Sequence, residues 1–399
     1  MAGVPAIQKE PPARHVLAER ARTLVPILRE RAIEADHNRG VSRLTHEAFC
    51  AAGFYKIHQP ARYGGYEMPL DVMIDICAEL GRGCGSSAWV FSNLAGQGLL
   101  VGMHAPAAQD DVWKNTPDAL IASSFPFQSG TGKRVAGGLV LNGTWSFASG
   151  VDFADWENVQ VFLPSESGGP AEHRFVLIPK SDFTIQDDWY MTGLSGTGSR
   201  SVVLNNVFVP EHRVLDSQFM TGGPSPGSAA NPHPLFKVSA WAAGNKLFTG
   251  PAIGIARGAL ELTEEDLRSR ISAMGVKLAD IPTAHSRIAE AGAEIDAAYA
   301  LMIKDSVDAM QYAQSGERPP IALRAKWRRN NAFAGQLCLR AVERLYPLGG
   351  GRGLRRDNLF QLAWRDIHAA VSQILMAWDT QSVNTGRVQL GLPSLDPRL

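Results

Sequence analysis

Trp145, Phe147 and Ser149 recur at every second position in LNGTWSFASG, residues 141–150. On a β-strand that spacing puts all three on one face. An aromatic wall ending in a hydroxyl suits a flat heterocycle that needs stacking surface and a hydrogen bond at its reactive edge, such as the isoalloxazine ring of a flavin. The same pattern also describes sheet core with a satisfied hydroxyl, and spacing alone leaves both readings open. His368, in Trp364-Arg-Asp-Ile-His368, is the second candidate. A neutral imidazole can act as a general base near neutral pH, and the competing reading, which the residue alone favours, is a core histidine hydrogen-bonded on a helix.

Other chemistries have little support. The ten histidines include no HExxH and no pair on one helical face, so no metal site is expected. No GxSxG follows a strand. Gly196-Thr197-Gly198 precedes a strand rather than a helix, so no dinucleotide-binding βαβ unit is expected. Cys50, Cys77, Cys84 and Cys338 have no CxxC spacing, which points to buried free thiols in a reducing compartment. Lys+Arg and Asp+Glu are 39 each, and a net charge of zero argues against nucleic acid or anionic membrane as partner. The basic clusters at 324–329 and 352–356 read as solvated faces or interface pairs. The N-terminal stretch has no apolar signal region and no uncharged apolar run reaches membrane-spanning length, so a cytoplasmic protein is expected.

The elements that must position these residues fall into three blocks, expected as a helical domain at 1–118, a β domain at 119–220 and a helical bundle at 221–399. The first has a helix over about 13–35, in which Pro26 predicts a kink or two abutting helices. Thr45 is expected to cap a short helix through Ala52, Pro69 to open another, and residues 86–103 to form a buried apolar helix. The middle block alternates apolar and polar residues with β-branched and aromatic enrichment. After a Pro-, Gly- and Ser-rich linker at 221–234, helices are expected over about 235–271, 283–314, 320–346 and 357–386. The third ends in YPLGGGRG, where Gly349 and Gly350 allow a close backbone approach to a ligand.

Gly143-Thr-Trp-Ser-Phe-Ala-Ser-Gly150, with Asp152–Trp156 beyond it, resembles the flavin-contacting strand of the acyl-CoA dehydrogenase superfamily in its two-component flavin-dependent monooxygenase branch. The resemblance continues through the YGG loop at 63–65, WYMTGLSGTGS at 189–199, GPAIGIARGAL at 250–260 and RDIH at 365–368. It implies an α+β fold: an N-terminal helical domain, a middle β-barrel or sandwich, and a C-terminal antiparallel four-helix bundle. It also implies a homotetramer that takes reduced FMN or FAD from a separate NAD(P)H:flavin reductase. By the same resemblance Ser149 lies near flavin N5, with Trp145, Phe147, Phe125, Gly349 and Gly350 as flavin contacts, and Thr197 and Ser199 as further neighbours. Arg270 would meet the flavin phosphates. Ser124, Gln97 and Trp89 would face the substrate, and His368 would orient or deprotonate it.

Three departures shape the expected function. Acyl-CoA dehydrogenases need a carboxylate base, and at the two places where it occurs this chain has Ile374 and a stretch from Ser217 to Leu260 without Asp or Glu. Gln97 stands where the hydroxyphenylacetate and steroid-phenol hydroxylases have a histidine, and an amide is no base. Arg270 is followed by Ile-Ser-Ala instead of Phe-Gly, which leaves FMN and FAD both open. The resemblance implies an oxygenase component that uses O2, through a C4a-hydroperoxyflavin, to hydroxylate a small aromatic or heteroaromatic substrate. The alternatives are an acyl-CoA dehydrogenase or oxidase, an N- or S-oxygenating enzyme, and a non-catalytic flavin-binding homotetramer.

Overall fold

Apolar residues one turn apart along the first helix bury Leu17, Ala21, Val25, Leu28 and Ala32 on one face of α1 (Arg14–Asn38). The structure is a computed structural model that describes residues 11–399 apart from 126–129, 166–167, 170, 273 and 397. The first ten residues, which carry much of the expectation about a signal segment, lie outside the described residues. Pro26 sits inside α1 without dividing it into two helices. α2 (Arg43–Ala52) is capped by Ser42, whose Oγ accepts the Thr45 N–H at 3.3 Å, so Thr45 is the third helical residue and not the cap. α3 (Leu70–Gly83) starts after Pro69. α4 (Gly85–Met103) is buried at every position, as its apolar sequence predicts. α5 (Pro106–Trp113) completes the block. Cys77, Cys84 and Cys338 are buried free thiols as expected, but Cys50 is exposed, because α2 turns Thr45 and Phe49 inward and leaves it on the outer face.

The strands are β1 (Ile121–Ser124), β2 (Gly130–Val135), β3 (Gly138–Ala148), β4 (Trp156–Leu163), β5 (Glu172–Pro179), β6 (Thr184–Gln186), β7 (Arg200–Pro210) and β8 (Val214–Asp216). Among the described residues they form two sheets, ordered β1-β4-β5-β8 and β2-β3-β7-β6, with β1 parallel to β4 and every other pair antiparallel. Leu139, Leu141 and Trp145 of β3 share one core with Val159, Val161 and Leu163 of β4 and Val202 and Leu204 of β7. Each fully buried aliphatic side chain contributes about 1.5–3 kcal/mol, an upper figure given a compact unfolded chain.

A β-bulge near the end of β3 changes the expected alternation. Trp145 pairs with Val202 and Ala148 with Arg200, so β3 carries one extra residue there. Trp145 therefore faces the sandwich core, where its Nε1 donates to the Gln160 carbonyl at 2.8 Å. Phe147 adopts φ 68, left-handed backbone that an aromatic residue rarely takes, and turns its ring out of the core.

The C-terminal block comprises α6 (Lys246–Ser269), α7 (Pro282–Gln314), α8 (Ile321–Leu345), α9 (Leu359–Val371) and α10 (Trp378–Gln389). α6 packs on α7, α8 and α9, and α8 also packs on α7, α9 and α10. Two expectations differ. Residues 238–245 do not extend α6 backward, because the N–H groups of Ala242, Ala243 and Gly244 converge on the Ser239 carbonyl and close a turn. The last expected helix is split, and between α9 and α10 the Gln373 side chain takes the Leu375 N–H at 2.6 Å in competition with helical bonding. α3 lies close on α6 because Gly81 and Gly254 face each other: a Cβ on Gly81 would come within 2.8 Å of the Gly254 Cα.

Candidate active site

Where α4, the start of α6 and α9 meet the ends of β1, β3 and β7, the chain leaves a cavity of about 890 Å³. Its wall is largely apolar, and none of the described residues lining it is Asp or Glu. Ile374, at one of the two places where an acyl-CoA dehydrogenase would carry its carboxylate base, lies on this wall.

At one end, four side chains form a directed hydrogen-bond chain. The Trp89 Nε1–H donates to Ser149 Oγ at 3.2 Å, Ser149 and Ser199 hydroxyls are 2.7 Å apart, and Ser199 and Thr197 hydroxyls are 2.7 Å apart. Thr197 donates its own hydroxyl proton to the Leu194 carbonyl at 2.8 Å. Each hydroxyl has one proton. Ser199 must therefore donate to Thr197, and Ser149 to Ser199. What Ser149 keeps for a ligand is a lone pair, so it accepts from an N–H and cannot donate to a bare ring nitrogen.

Beside this chain Phe147 is 56% exposed, edge-on to Trp189 with ring centroids 5.8 Å apart. An exposed aromatic ring on strained backbone, an acceptor oxygen and an apolar cavity fit the ring of a reduced flavin, whose N5 carries a hydrogen.

His368 enters the cavity from α9. Its Nδ1 lies 2.7 Å from the Trp364 carbonyl and its Nε2 lies 2.9 Å from Glu343 Oε1. Trp364 Nε1 donates to the same Glu343 oxygen at 2.8 Å, and its ring lies 4.4 Å from the imidazole. Both ring nitrogens thus face acceptors, which differs from the expectation of an imidazole with a nitrogen open to substrate. The pair is on the outer side of the helix: the His368 and Glu343 side chains are 39% and 47% exposed.

Between the two lies the Arg365–Asp366 pair. Arg365 Nη2 pairs with Asp36 at 2.8 Å and its Nη1 donates to the Thr192 carbonyl at 2.6 Å. Asp366 accepts the Leu194 N–H at 2.6 Å. Gly193 between them has no room for a Cβ, which would collide with the Arg365 carbonyl. This clamp fixes the loop that leads to Thr197 and Ser199. Burial pushes the Asp366 carboxyl up to about 7.

Of the residues singled out from sequence, Trp89, Gln97, Phe125, Phe147, Ser149 and His368 line the cavity. Trp145 does not, because of the bulge. Ser124 does not either: its hydroxyl donates to the Ser146 carbonyl, and its neighbour Ser123 is the one on the wall. Arg270, Gly349 and Gly350 lie off this cavity's wall. Arg270 donates to the Gly349 carbonyl at 3.0 Å and to the Leu348 carbonyl, and pairs with Asp266 at 2.8 Å, so within one chain it pins the glycine-rich segment. Sequence reasoning missed Glu343, Ser123 and His58. A Glu near the end of a charged helix carries no signal of its partner, and β1 is too short to show which serine faces in.

Residues 247–378 match the family model described as acyl-CoA dehydrogenase, C-terminal domain. Over 380 residues the chain is 33% identical to the flavin-dependent monooxygenase oxygenase subunit HsaA of Rhodococcus jostii, covering 95% of this chain and 99% of that protein. It is 32% identical to the oxygenase component of an FADH(2)-dependent resorcinol hydroxylase of Rhizobium sp., covering 94% of each chain. The crystal structure of the HsaA monooxygenase from M. tuberculosis superimposes with a TM-score of 0.91 at 31% identity, over 97% of this chain and 100% of that one.

Proposed function

Because the chain belongs to the oxygenase components of the flavin-dependent monooxygenases, with an acyl-CoA dehydrogenase-like fold, we propose that it hydroxylates an electron-rich aromatic or heteroaromatic ring of the phenol or indole type. Reduced FMN or FAD from a separate NAD(P)H:flavin reductase supplies, when bound, the electrons that place one atom of O2 on the substrate and release the other as water. The residues that would hold it are Phe147 and Trp189 against the ring and Ser149 at an N–H. The apolar wall excludes water from the reacting groups.

His368 handles the substrate proton. In the resting arrangement its Nε2 faces Glu343, so it takes a substrate proton once Nε2 leaves that carboxylate. A half-exposed pair of this kind is worth about 0–1 kcal/mol, which makes the exchange cheap. The Trp364 carbonyl holds Nδ1 throughout and keeps the ring oriented.

The observation that carries this reading is the directed Trp89–Ser149–Ser199–Thr197 chain, which presents an acceptor to an N–H beside an exposed aromatic ring. The acyl-CoA dehydrogenase alternative lacks support at this cavity, since no carboxylate is among its described lining residues. Val383, Leu390 and Leu395, exposed on and after α10, supply apolar surface for the proposed homotetramer. No described helix is long and apolar enough to cross a membrane, and we place the enzyme in the cytoplasm.

The test is to mix the purified protein with photoreduced FMN or FAD, admit oxygen-18-labelled O2, and screen phenols and indoles by mass spectrometry. One labelled oxygen per product is expected. Substrate oxidation without label, or bleaching of bound flavin by an acyl-CoA, would overturn the reading.

A further inference from the structure

His58 sits on the loop between Lys56 and Ala61, ahead of α3, and is 3% exposed. It lines the cavity together with Leu70, Met73, Gly96 and Gln97. Neither its Nδ1 nor its Nε2 has a hydrogen-bond partner. Two unpaired ring nitrogens are costly to bury, and a group left so in a cavity wall calls for a partner that enters the cavity. Burial pulls the imidazole down to about 4, so near neutral pH it offers one N–H and one lone pair.

The neighbouring polar group is already committed. Gln97 Nε2 donates to Ser123 Oγ at 2.9 Å, and Gln97 Oε1 accepts from Asn158 Nδ2 at 3.1 Å. The His58 backbone rests on α4 one residue beyond: a Cβ on Gly98 would lie 2.8 Å from the His58 carbonyl carbon. His104 gives a contrast within the same chain. It too is buried with both nitrogens unpaired, but it does not line the cavity.

We propose that His58 is a specificity-determining residue of this site, hydrogen-bonding a second polar substituent, a hydroxyl or N–H, on the aromatic substrate. The proposal rests on the oxygenase reading. It selects, within aromatic substrates, those that carry a polar group away from the carbon that is oxygenated.

The test compares naphthalene-2,7-diol with its methyl isostere 7-methylnaphthalen-2-ol by calorimetric titration of the full-length protein. The wild type should prefer the diol by about tenfold, the effect of one hydrogen bond to a buried partner. His58→Leu should abolish the preference by weakening diol binding alone, and His58→Gln should restore part of it. His104→Leu should leave the preference intact. A preference that survives His58→Leu, or a wild type that binds both probes equally or neither, overturns the assignment. Incorporation of oxygen-18 from O2 into a phenol or indole product, with reduced FMN supplied, judges the oxygenase reading separately: no labelled product alongside an intact, His58-dependent diol preference sinks that reading, whereas labelled product with no such preference sinks the assignment of His58.

Discussion

Ser149 reaches the cavity through a buried chain of hydroxyls in which every proton is assigned, whereas His368 reaches it from a helix surface beside a half-exposed carboxylate. Reversing the first arrangement would strand a buried donor or acceptor, at about 1–3 kcal/mol. Opening the second costs about 1 kcal/mol or less. The same cavity therefore has one end built to stay fixed and one built to let a proton move. A cofactor contact needs the first property and a proton-transfer step needs the second.

Asp366 is the joint between these regions, on the helix of His368 and bonded to the loop of Thr197. Its carboxyl is raised from 3.8 to about 7 by burial, so the protonated form is the one the fold favours. Stability from this group is fully present below about pH 4 and is lost as pH rises through about 7. The loss is at most roughly 4 kcal/mol at 1.36 kcal/mol per unit. Asp366→Asn keeps the acceptor without the charge, so its melting temperature should gain on the wild type between about pH 4 and pH 7 and level off above. A difference that stays constant with pH would remove Asp366 from this role.

The next effect separates the two ends directly. His368→Ala should lower hydroxylation by about 10²-fold or more, while O2 is still consumed and appears as hydrogen peroxide. His368→Asn should recover positioning of the substrate without basicity. Product and peroxide assays read both, and wild-type rate and coupling in His368→Ala would leave the histidine as bundle packing.

At the fixed end, Ser149→Ala should increase peroxide release about fivefold, the equivalent of one hydrogen bond of about 1 kcal/mol. Thr197→Val sharpens the same point, because removing the final acceptor lets the chain reverse and Ser149 donate. Oxidised flavin should then bind better relative to reduced flavin, by a few-fold, in fluorescence and anaerobic titrations. Unchanged relative affinities would dissolve the directed chain.

The smallest change is expected for Glu343→Gln. A surface partner worth about 0–1 kcal/mol should alter hydroxylation by less than about fivefold, read in the same product and peroxide assays. A loss as large as that of His368→Ala would mean that the mobile end is as fixed as the other.

Helix positions were legible from local signals. The apolar run of α4, the proline before α3 and the glycine-rich break after α8 fall where their chemistry puts them, and the motif WRDIH placed His368 on a helix that lines the cavity. Facing and partnership were less legible. Trp145, Phe147 and Ser149 alternate in sequence, and only the bulge reveals that one faces core and two face the cavity. Ser124 and Ser123 differ by one position on a four-residue strand, too short for alternation to mark the inner face.

By itself, then, the amino-acid order determined most of the helix and strand segments, though not the turn at 238–245 or the break between α9 and α10, and which residue types were on hand for flavin and proton chemistry, because periodicity and capping act over a few residues. The tertiary structure alone decided that Ser149 is an acceptor, that His368 meets Glu343, and that His58 stands unpaired beside Gln97. Those outcomes depend on groups 50, 25 and 39 positions apart in the chain, whose meeting is set by how the sandwich and the helices close on one another.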